Sequence, residues 1–260
     1  RAHSAFSEIK PGDLDWEKAL DKAAWFHWTG ITPALGDSVY ACLRQGLELS
    51  RKKGITVSVD LNYRKNLWKE DKAREVMTSL MAFVDILIGN EEDPTRVFGI
   101  KVKGTDVSSG RLNIEGYKEL TEELVKRFGF KKVAVTLRES VSASENFWSA
   151  CLFGGKNFFR SPRHHVWIID RVGTGDAFAA GLIYGILSFA LLDLRSRNHA
   201  RSAFHTVFSP FSLSLCGFLE KMKVDFMRFI DRRLGVPVCF FLSCAHGLVK
   251  IVSKPMPVKS

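Results

Sequence analysis

The feature that most constrains this chain is a regular alternation of short apolar runs with helical stretches over residues 1–187. Strand-like runs occupy residues 25–28, 55–61, 84–88 and 132–137, and amphipathic segments separate them. A helix between two strands carries the chain back to the other end of the sheet, so the second strand runs in the same direction as the first. This pattern is therefore typical of parallel pairing. We therefore predict an α/β fold with a mostly parallel central sheet and helices on both faces.

The helices predicted by the same pattern cover residues 16–24, 37–53, 71–81 and 115–127. Asp37 or Ser38 is a plausible N-cap for the second of these helices, because short polar side chains accept hydrogen bonds from the first free amides. In parallel sheets, ligands bind beyond the carboxyl ends of the strands. Several polar runs follow predicted strands directly, namely residues 62–64, 90–93 and 138–139.

Composition excludes several classes of protein. The 260 residues are 46% hydrophobic and 25% charged, which is an ordinary balance for a globular chain with a sizeable core. No run reaches the roughly 18 apolar residues of a membrane span, and the first residues do not resemble a signal peptide. Five cysteines without a CxxC pair favour neither a disulfide framework nor a zinc site, so we expect a cytoplasmic protein without a membrane partner.

The regular pattern stops near residue 188. The segment 188–260 contains nine of the twenty phenylalanines, and it carries eleven basic but only four acidic residues, which is most of the net charge of +10. We predict a core at residues 1–187 and an atypical basic tail at 188–260. A shifted reading frame or retained non-coding sequence would explain the tail, and a divergent C-terminal extension is the alternative. Because the rest of the chain is nearly neutral, we expect no nucleic-acid partner.

The segment from residue 168 to residue 181 has the strongest chemical signal. An apolar run leads into Gly173-Thr174-Gly175-Asp176, and an Ala/Gly-rich helical stretch follows. Glycines allow successive amides to turn toward one point, and the N-terminus of a helix adds partial positive charge, so the segment suits a phosphoryl group. Asp176 beside such an anion hole could accept the proton of an attacking hydroxyl. A simple helix cap in a tight turn is the alternative for this segment taken alone.

Two further segments place polar groups at the ends of predicted strands. In residues 57–68, Asp60, Asn62, Arg64 and Lys65 follow a buried strand, and the Arg64 guanidinium suits a carboxylate or carbonyl oxygen. A solvated basic loop is the alternative. In residues 89–93, Asn90 and three acids could organise magnesium through its waters, or they could simply favour the N-terminus of a helix.

Taken together and in this order, the segments resemble one family. Residues 170–176, Asp-Arg-Val-Gly-Thr-Gly-Asp, are similar to the second signature of the ribokinase-type (PfkB) carbohydrate kinases, although Arg171 and Thr174 depart from its commonest residues. Residues 25–34, 60–68, 90–93 and 136–144 resemble the 2-keto-3-deoxygluconate kinase branch of that family. The resemblance covers residues 1–187, which would be a partial kinase core with the first strands and the lid of the fold largely missing. Without those strands we expect an exposed sheet edge.

The resemblance implies ATP-dependent phosphorylation of the terminal hydroxyl of 2-keto-3-deoxygluconate, with Mg²⁺ as cofactor. Asp176 would be the general base, and Gly173, Thr174 and Gly175 would form the anion hole. Arg1 and Arg64 would bind the substrate. Thr136 and Arg138 would bind the nucleotide together with Gly173 and Gly175. Asn90 and Asp93 would contact the metal ion through water. Asp93 stands where the family has Glu, which is a shorter reach.

Three alternatives stay open at this point. A kinase for another sugar, such as fructose or ribose, would share the fold. A neutral sugar has no carboxylate for Arg64 to bind, however. A non-catalytic fragment could keep the kinase-like core without turnover. A homodimer or higher homo-oligomer is compatible with the family, and the sequence does not decide between these states.

Overall fold

The computed structural model describes residues 4–102, 113–168, 173–191, 238–241 and 249–251. The strands in these ranges are β1 (Trp25–Thr29), β2 (Thr56–Asp60), β3 (Ile86–Gly89), β4 (Lys132–Ser140), β5 (Glu145–Gly154), β6 (Asn157–Arg160), β7 (His164–Trp167), β8 (Val238–Phe241) and β9 (Val249–Ile251). The α-helices are α1 (Trp16–Ala19), α2 (Asp37–Lys52), α3 (Glu70–Leu80), α4 (Asp93–Phe98), α5 (Ile114–Phe128) and α6 (Thr174–Leu191). Short 3₁₀ helices span Ala5–Glu8, Pro33–Leu35 and Met81–Phe83.

The nine strands of the described ranges form one mixed sheet in the order β6-β5-β4-β3-β2-β1-β8-β9, with β7 also paired to β5. Strands β1 to β4 are parallel neighbours, and β8 extends this parallel part beside β1. Strands β5, β6 and β7 add an antiparallel region beyond β4. The prediction of an α/β fold with a parallel central sheet is thus confirmed for β1 to β4, but the whole described sheet is mixed, because four antiparallel pairings that were not foreseen extend it.

Helices cover both faces of the sheet, as predicted. The larger apolar core lies on the face covered by α2, α3 and α5, where Leu43, Met77 and Leu120 pack against buried residues of the strands. On the opposite face, α6 packs through Leu182 and Ile183 against strand residues of β1, β3 and β4. This layering buries every residue of β1 and β3, which explains why both strands are largely apolar; His27 and Thr29 are the buried polar residues of β1.

Two local predictions at helix ends were wrong. Helix α1 ends at Ala19, well before residue 24, and Lys22 then adopts a positive φ of 57° within a turn. The N-cap of α2 is Gly36, with no capping bond from a side chain, so Asp37 is the first helical residue. Because Asp37 lies within the first turn, its carboxylate can still interact favourably with the helix dipole.

Strand β8 lies in the segment 188–260, which showed no strand or helix period. It runs parallel to β1, with Trp25 opposite Val238 and Trp28 opposite Phe241. We expected an exposed sheet edge where the first strands are missing, and in this structure the outer side of β1 is paired with β8. The origin of the segment, and the boundary at residue 187, stay predictions.

Candidate active site

One cavity of about 200 Å³ lies at the carboxyl ends of β2, β3 and β4, against the N-terminal end of α6. The order of the sheet explains this meeting, because neighbouring parallel strands bring their following loops to the same edge. Residues from all four elements line the cavity: Asp60, Asn62, Arg64, Ile88, Gly89, Asn90, Glu91, Glu92, Asp93, Thr136, Arg138, Trp148, Gly175 and Phe178.

The loop after β2 is held in a tight conformation beside the cavity. Asn62 has a positive φ of 41°, a region that asparagine tolerates better than most residues, and its amide donates to Thr29 Oγ1 at 3.1 Å. The backbone N–H of Tyr63 donates to Asp93 Oδ1 at 3.2 Å. These bonds fix the start of the loop, whereas the Arg64 side chain that follows is exposed and available at the cavity mouth.

The loop after β3 is organised by its own side chains. Asn90 Oδ1 accepts hydrogen bonds from the backbone N–H groups of Glu92, at 2.8 Å, and Asp93, at 2.9 Å. Asp93 Oδ2 accepts from the Asn90 N–H at 3.1 Å, and its other oxygen accepts from Tyr63. Asp93 is only 3% exposed, so its carboxylate links the loops after β2 and β3.

The hydrogen bonds of Asn90 and Asp93 affect how these two predicted metal contacts could bind magnesium. Both oxygens of Asp93 already accept a backbone N–H, which suits a magnesium ion held through water better than direct ligation. Within the described ranges, no three His, Cys, Asp or Glu side chains form a cluster that could hold a metal by themselves. The residues present therefore fit the indirect contact expected of Asn90 and Asp93, and their role stays a prediction.

The turn before α6 has the geometry expected of the glycine-containing segment. Gly173 has a positive φ of 78°, and α6 begins at Thr174. Asp176 is the third residue of the helix, partly buried, so it does not occupy the N-cap position. The role of Asp176 as a base rather than as part of a helix cap stays a prediction.

Asp60 lies directly against this turn. A Cβ placed on Gly175 would stand 3.3 Å from Asp60 Oδ2, so the glycine allows the helix end to approach the carboxylate closely. Burial raises the pKa of Asp60 well above its usual value, and the carboxylates of Asp93 and Asp176 raise it further, while Arg64 lowers it. The pKa of Asp93 is also raised by burial, although its backbone hydrogen bonds and Arg64 lower it. The carboxylates of Asp93 and Asp176 thus both lie within electrostatic reach of Asp60, and Arg64 is the cation that lowers the pKa of Asp60 and of Asp93.

The opposite wall is formed by β4 and the loop after β3. Arg138 Nη2 lies 3.3 Å from Glu91 Oε1, and the Glu91 side chain is almost fully buried. Thr136 donates to the carbonyl oxygen of Gly89 at 3.5 Å. Burial raises the pKa of Glu91 to about 7, even though Arg138 acts in the opposite direction.

The structure brings most of the predicted site residues together. Arg64, Asn90, Asp93, Thr136, Arg138 and Gly175 line the cavity, and Gly173, Thr174 and Asp176 lie in the adjoining turn and first helical turn. Arg1 and residues 169–172 lie outside the described residues. Sequence reasoning named Asp60 without assigning it a role, included Glu91 only as one of the three acids after Asn90, and did not identify Trp148 or Phe178 as part of the site. The position of Glu91 next to Asn90 was a usable signal, but Trp148 lies on an antiparallel strand that was not predicted.

Comparisons with known proteins find one matching family and several similar chains. A model of the pfkB family of carbohydrate kinases matches residues 4–201. The crystal structure of 2-dehydro-3-deoxygluconokinase from Thermotoga maritima is 46% identical, with a TM-score of 0.70 over 78% of this chain and 60% of that one. A PfkB family carbohydrate kinase from Listeria grayi is 27% identical, with a TM-score of 0.65 over 78% of this chain and 59% of that one.

Among curated proteins, a 2-dehydro-3-deoxygalactonokinase from Haloferax volcanii is 29% identical over 189 residues, which are 72% of this chain and 52% of that protein. The chain thus spans about half the length of this curated relative. None of the helices in the described part of the chain is long and apolar enough to cross a membrane.

Proposed function

Because this chain belongs to the pfkB family of carbohydrate kinases, we propose that its site transfers the terminal phosphoryl group of ATP to 2-keto-3-deoxygluconate. The acceptor is the terminal hydroxyl of the sugar acid. The observation that carries the proposal is the meeting of three segments at one cavity: the glycine turn before Asp176, the loop with Arg64, and the loop from Asn90 to Asp93. The similarity to the Thermotoga maritima enzyme supports the acid-sugar substrate.

Asp176 is the general base in this proposal. Its carboxylate accepts the proton of the sugar hydroxyl while the hydroxyl oxygen bonds to the γ-phosphorus, and the bond from that phosphorus to the β-phosphate oxygen breaks. The amides at Gly173, Thr174 and Gly175 and the N-terminus of α6 stabilise the charge on the group in transfer. ADP and the phosphorylated sugar leave, and the proton on Asp176 returns to solvent.

The remaining residues bind and orient. Arg64, exposed at the cavity mouth, binds the oxo-acid end of the sugar through its planar guanidinium. Arg1 is proposed as a second contact to the same end. Thr136 and Arg138 contact the nucleotide. Asn90 and Asp93 hold waters of Mg²⁺, which neutralises phosphate charge when it is bound.

Replacing Asp176 tests the central role. We expect Asp176→Asn to lower kcat by at least about a hundredfold, because general-base catalysis contributes on that order, while the melting temperature stays near that of the parent. Asp71→Asn is a matched control, because Asp71 also lies in the first turn of a helix but is almost fully exposed and does not line the cavity. ADP formation coupled to a dehydrogenase measures both variants. Unchanged turnover in Asp176→Asn would refute the assignment.

A panel of acceptors tests the substrate. We expect turnover of 2-keto-3-deoxygluconate to exceed that of fructose and ribose, and Arg64→Met to remove this preference by raising KM for the acid alone. Including 2-keto-3-deoxygalactonate addresses the stereochemistry suggested by the Haloferax volcanii relative. Equal turnover of neutral sugars would overturn the acid-sugar assignment.

A second candidate is a nucleotide-binding fragment without turnover, since the chain spans about half of its curated relative. Calorimetric titration with MgATP distinguishes the two candidates. Binding of MgATP without phosphate transfer to any acceptor of the panel would favour the fragment.

A further inference from the structure

Thr29 is a buried threonine at the end of β1, behind the loop that carries Arg64. Its side chain is 4% exposed, and it is not one of the described residues that line the cavity. In the sheet it lies directly opposite Asp60, the last residue of β2. The ends of the two strands approach closely, because a Cβ at Gly30 would collide with the carbonyl group of Leu61. The hydroxyl of Thr29 is therefore within reach of the first residues of the loop after β2.

Asn62 connects this hydroxyl to the loop. Its backbone has a positive φ of 41°, a conformation that is costly for most residues other than glycine and that asparagine tolerates better than most. The side-chain amide of Asn62 donates to Thr29 Oγ1 at 3.1 Å. Because threonine is branched at Cβ, its χ1 angle is restricted, and the acceptor oxygen has little freedom to move. The hydrogen bond thus stabilises the left-handed conformation of Asn62.

The turn at Asn62 determines where Arg64 lies. The next residue, Tyr63, donates its backbone N–H to Asp93 Oδ1 at 3.2 Å. The carbonyl oxygen of Arg64 accepts the N–H of Leu67 at 2.9 Å. The backbone is thus held on both sides of Arg64, whereas the Arg64 side chain is exposed and lines the cavity. An arginine on an ordered backbone loses less conformational freedom when it binds a ligand, so the order of this loop favours binding.

We propose that Thr29 is a positioning residue for Arg64. Through Asn62, its hydroxyl holds the loop of residues 62–68 in the conformation that presents the guanidinium to the carboxylate of a sugar acid. The choice of a sugar acid as ligand rests on the proposed function. The ordering of the loop by Thr29 does not.

Thr29 is a better position than Asn62 at which to test this role. Asn62 lines the cavity, so its replacement would also remove a side chain that a bound ligand can touch. A substitution at Thr29 changes ligand binding through other residues, since Thr29 itself does not line the cavity. The Thr29 hydroxyl also accepts the backbone N–H of Ile31, but at 3.4 Å, which is longer than a typical N–H···O hydrogen bond. The bond from Asn62 is therefore the main interaction that its loss would remove.

Steady-state kinetics of Thr29→Val on the full 260-residue chain measures the effect on the sugar. Valine has nearly the same shape as threonine but no hydroxyl. We expect KM for 2-keto-3-deoxygluconate to rise about fivefold, which corresponds to about 1 kcal/mol and is typical of one hydrogen bond. We expect kcat and KM for MgATP to stay near those of the parent. Thr29→Ser keeps the hydroxyl and should restore KM for the acid.

A double-mutant cycle shows whether Thr29 acts through Arg64. In the Arg64→Met background we expect Thr29→Val to cause no further rise in KM, because residues that act as a unit give non-additive effects. A full fivefold rise in that background would overturn the proposal.

Thr32→Val is the matched control. Thr32 is also buried and lies in the turn after β1, but its hydroxyl has no hydrogen-bond partner in the described part of the chain. The same substitution there should leave KM for the acid unchanged. An equal rise in KM in Thr32→Val and Thr29→Val would contradict a specific role of the Thr29 hydroxyl.

Limited digestion with trypsin tests the order of the loop without any ligand. Arg64 and Lys65 are exposed cleavage points in the loop, and Lys156, exposed in the turn between β5 and β6, reports opening elsewhere. We expect cleavage after Arg64 and Lys65 to be about fivefold faster in Thr29→Val than in the parent, since the loss of one hydrogen bond raises the population of the open loop by that order. Thr29→Ser should resemble the parent, and cleavage after Lys156, followed by mass spectrometry, should not change. Unchanged cleavage of the loop in Thr29→Val would refute the ordering role.

The two measurements separate this inference from the proposed function. If cleavage of the loop accelerates but 2-keto-3-deoxygluconate neither binds in calorimetry nor reacts, the ordering role of Thr29 stands. The sugar-acid part of this inference and the proposed function are then both wrong. If the acid reacts with the same KM in the parent and Thr29→Val, the proposed function stands and the positioning of Arg64 by Thr29 is wrong.

Discussion

At the scale of single residues, Gly175 shows how closely the two sides of the site approach each other. A methyl group at this position would lie 3.3 Å from Asp60 Oδ2, which is a tight contact that requires a shift of a few tenths of an ångström. Alanine also favours a helix over glycine by up to about 1 kcal/mol. The substitution therefore acts on the geometry of the site more than on the fold.

We expect Gly175→Ala to leave the free energy of unfolding within about 1 kcal/mol of the parent and to lower kcat about tenfold or more, because small displacements of reacting groups are costly. Urea denaturation and steady-state kinetics measure the two effects. A double-mutant cycle with Asp60→Ala locates the cause, since contacting residues give non-additive effects. Additive losses in kcat would show that Asp60 is not the group displaced.

Glu91 gives a prediction about stability that needs no substrate. Its pKa is about 7 in the folded protein against 4.5 for the ordinary side chain, so the folded state binds more protons between these values. A carboxyl group with a raised pKa contributes its full stability below the unfolded value and loses it as the pH rises toward the folded value. The stability of the parent therefore declines from about pH 4.5 to about pH 7 through this group, by about 3 kcal/mol at most.

Glu91→Gln removes this decline, because glutamine does not ionise. We expect the stability of the variant relative to the parent to rise as the pH increases from 4.5 to 7 and then to level off. Chemical denaturation at several pH values measures the difference, with the half-exposed Glu92→Gln as control. A parallel pH dependence in parent and Glu91→Gln would contradict the raised pKa.

At the scale of elements, the close packing of α1 on α2 depends on one glycine. A Cβ at Gly46 would meet ring atoms of Trp16 at 2.7–2.8 Å. Trp16 is 6% exposed, and its ring lies edge-on against Phe26 with centroids 5.6 Å apart, so it has little room to move. Position 46 therefore requires glycine, because the two helices touch at this point.

We expect Gly46→Ala to destabilise the protein by about 1–3 kcal/mol through overpacking, although alanine is the better helix former. Gln45→Ala is the control, since Gln45 is exposed on the same helix and should change stability by less than about 0.5 kcal/mol. Urea denaturation measures both. A more stable Gly46→Ala variant would mean that helix propensity outweighs the contact.

The elements also show how far the sequence could be interpreted without a structure. Strand β1 and helix α5 were predicted almost to their ends, because a largely apolar run and a long amphipathic period are strong local signals. Strands β5 and β7 were missed, since half-buried antiparallel strands on the periphery alternate weakly. The loops of the site were located because they follow buried strands, but the Glu91–Arg138 ion pair depends on the register between β3 and β4, which no local pattern encodes.

At the scale of the whole molecule, the segment 188–260 contributes to the central sheet through β8 and β9. Strand β8 lies between β1 and β9, parallel to the first and antiparallel to the second. All five residues of β1 are buried, so an unpaired β1 would present an apolar edge that favours association between chains. The pairing therefore gives the segment a structural role that its composition did not indicate.

Proline substitution in β8 tests this role, because proline lacks the N–H that a strand between two neighbours donates. We expect Cys239→Pro, opposite Phe26 of β1, to lower the melting temperature and to increase association in sedimentation velocity. Lys250→Pro in β9 is the control, since β9 has β8 as its single partner among the described strands and should tolerate the change better. A chain that ends at residue 237 is compared with the parent and with Cys239→Pro. If all three have equal stability and equal solubility, β1 does not need β8. The segment 188–260 would then have no part in the fold.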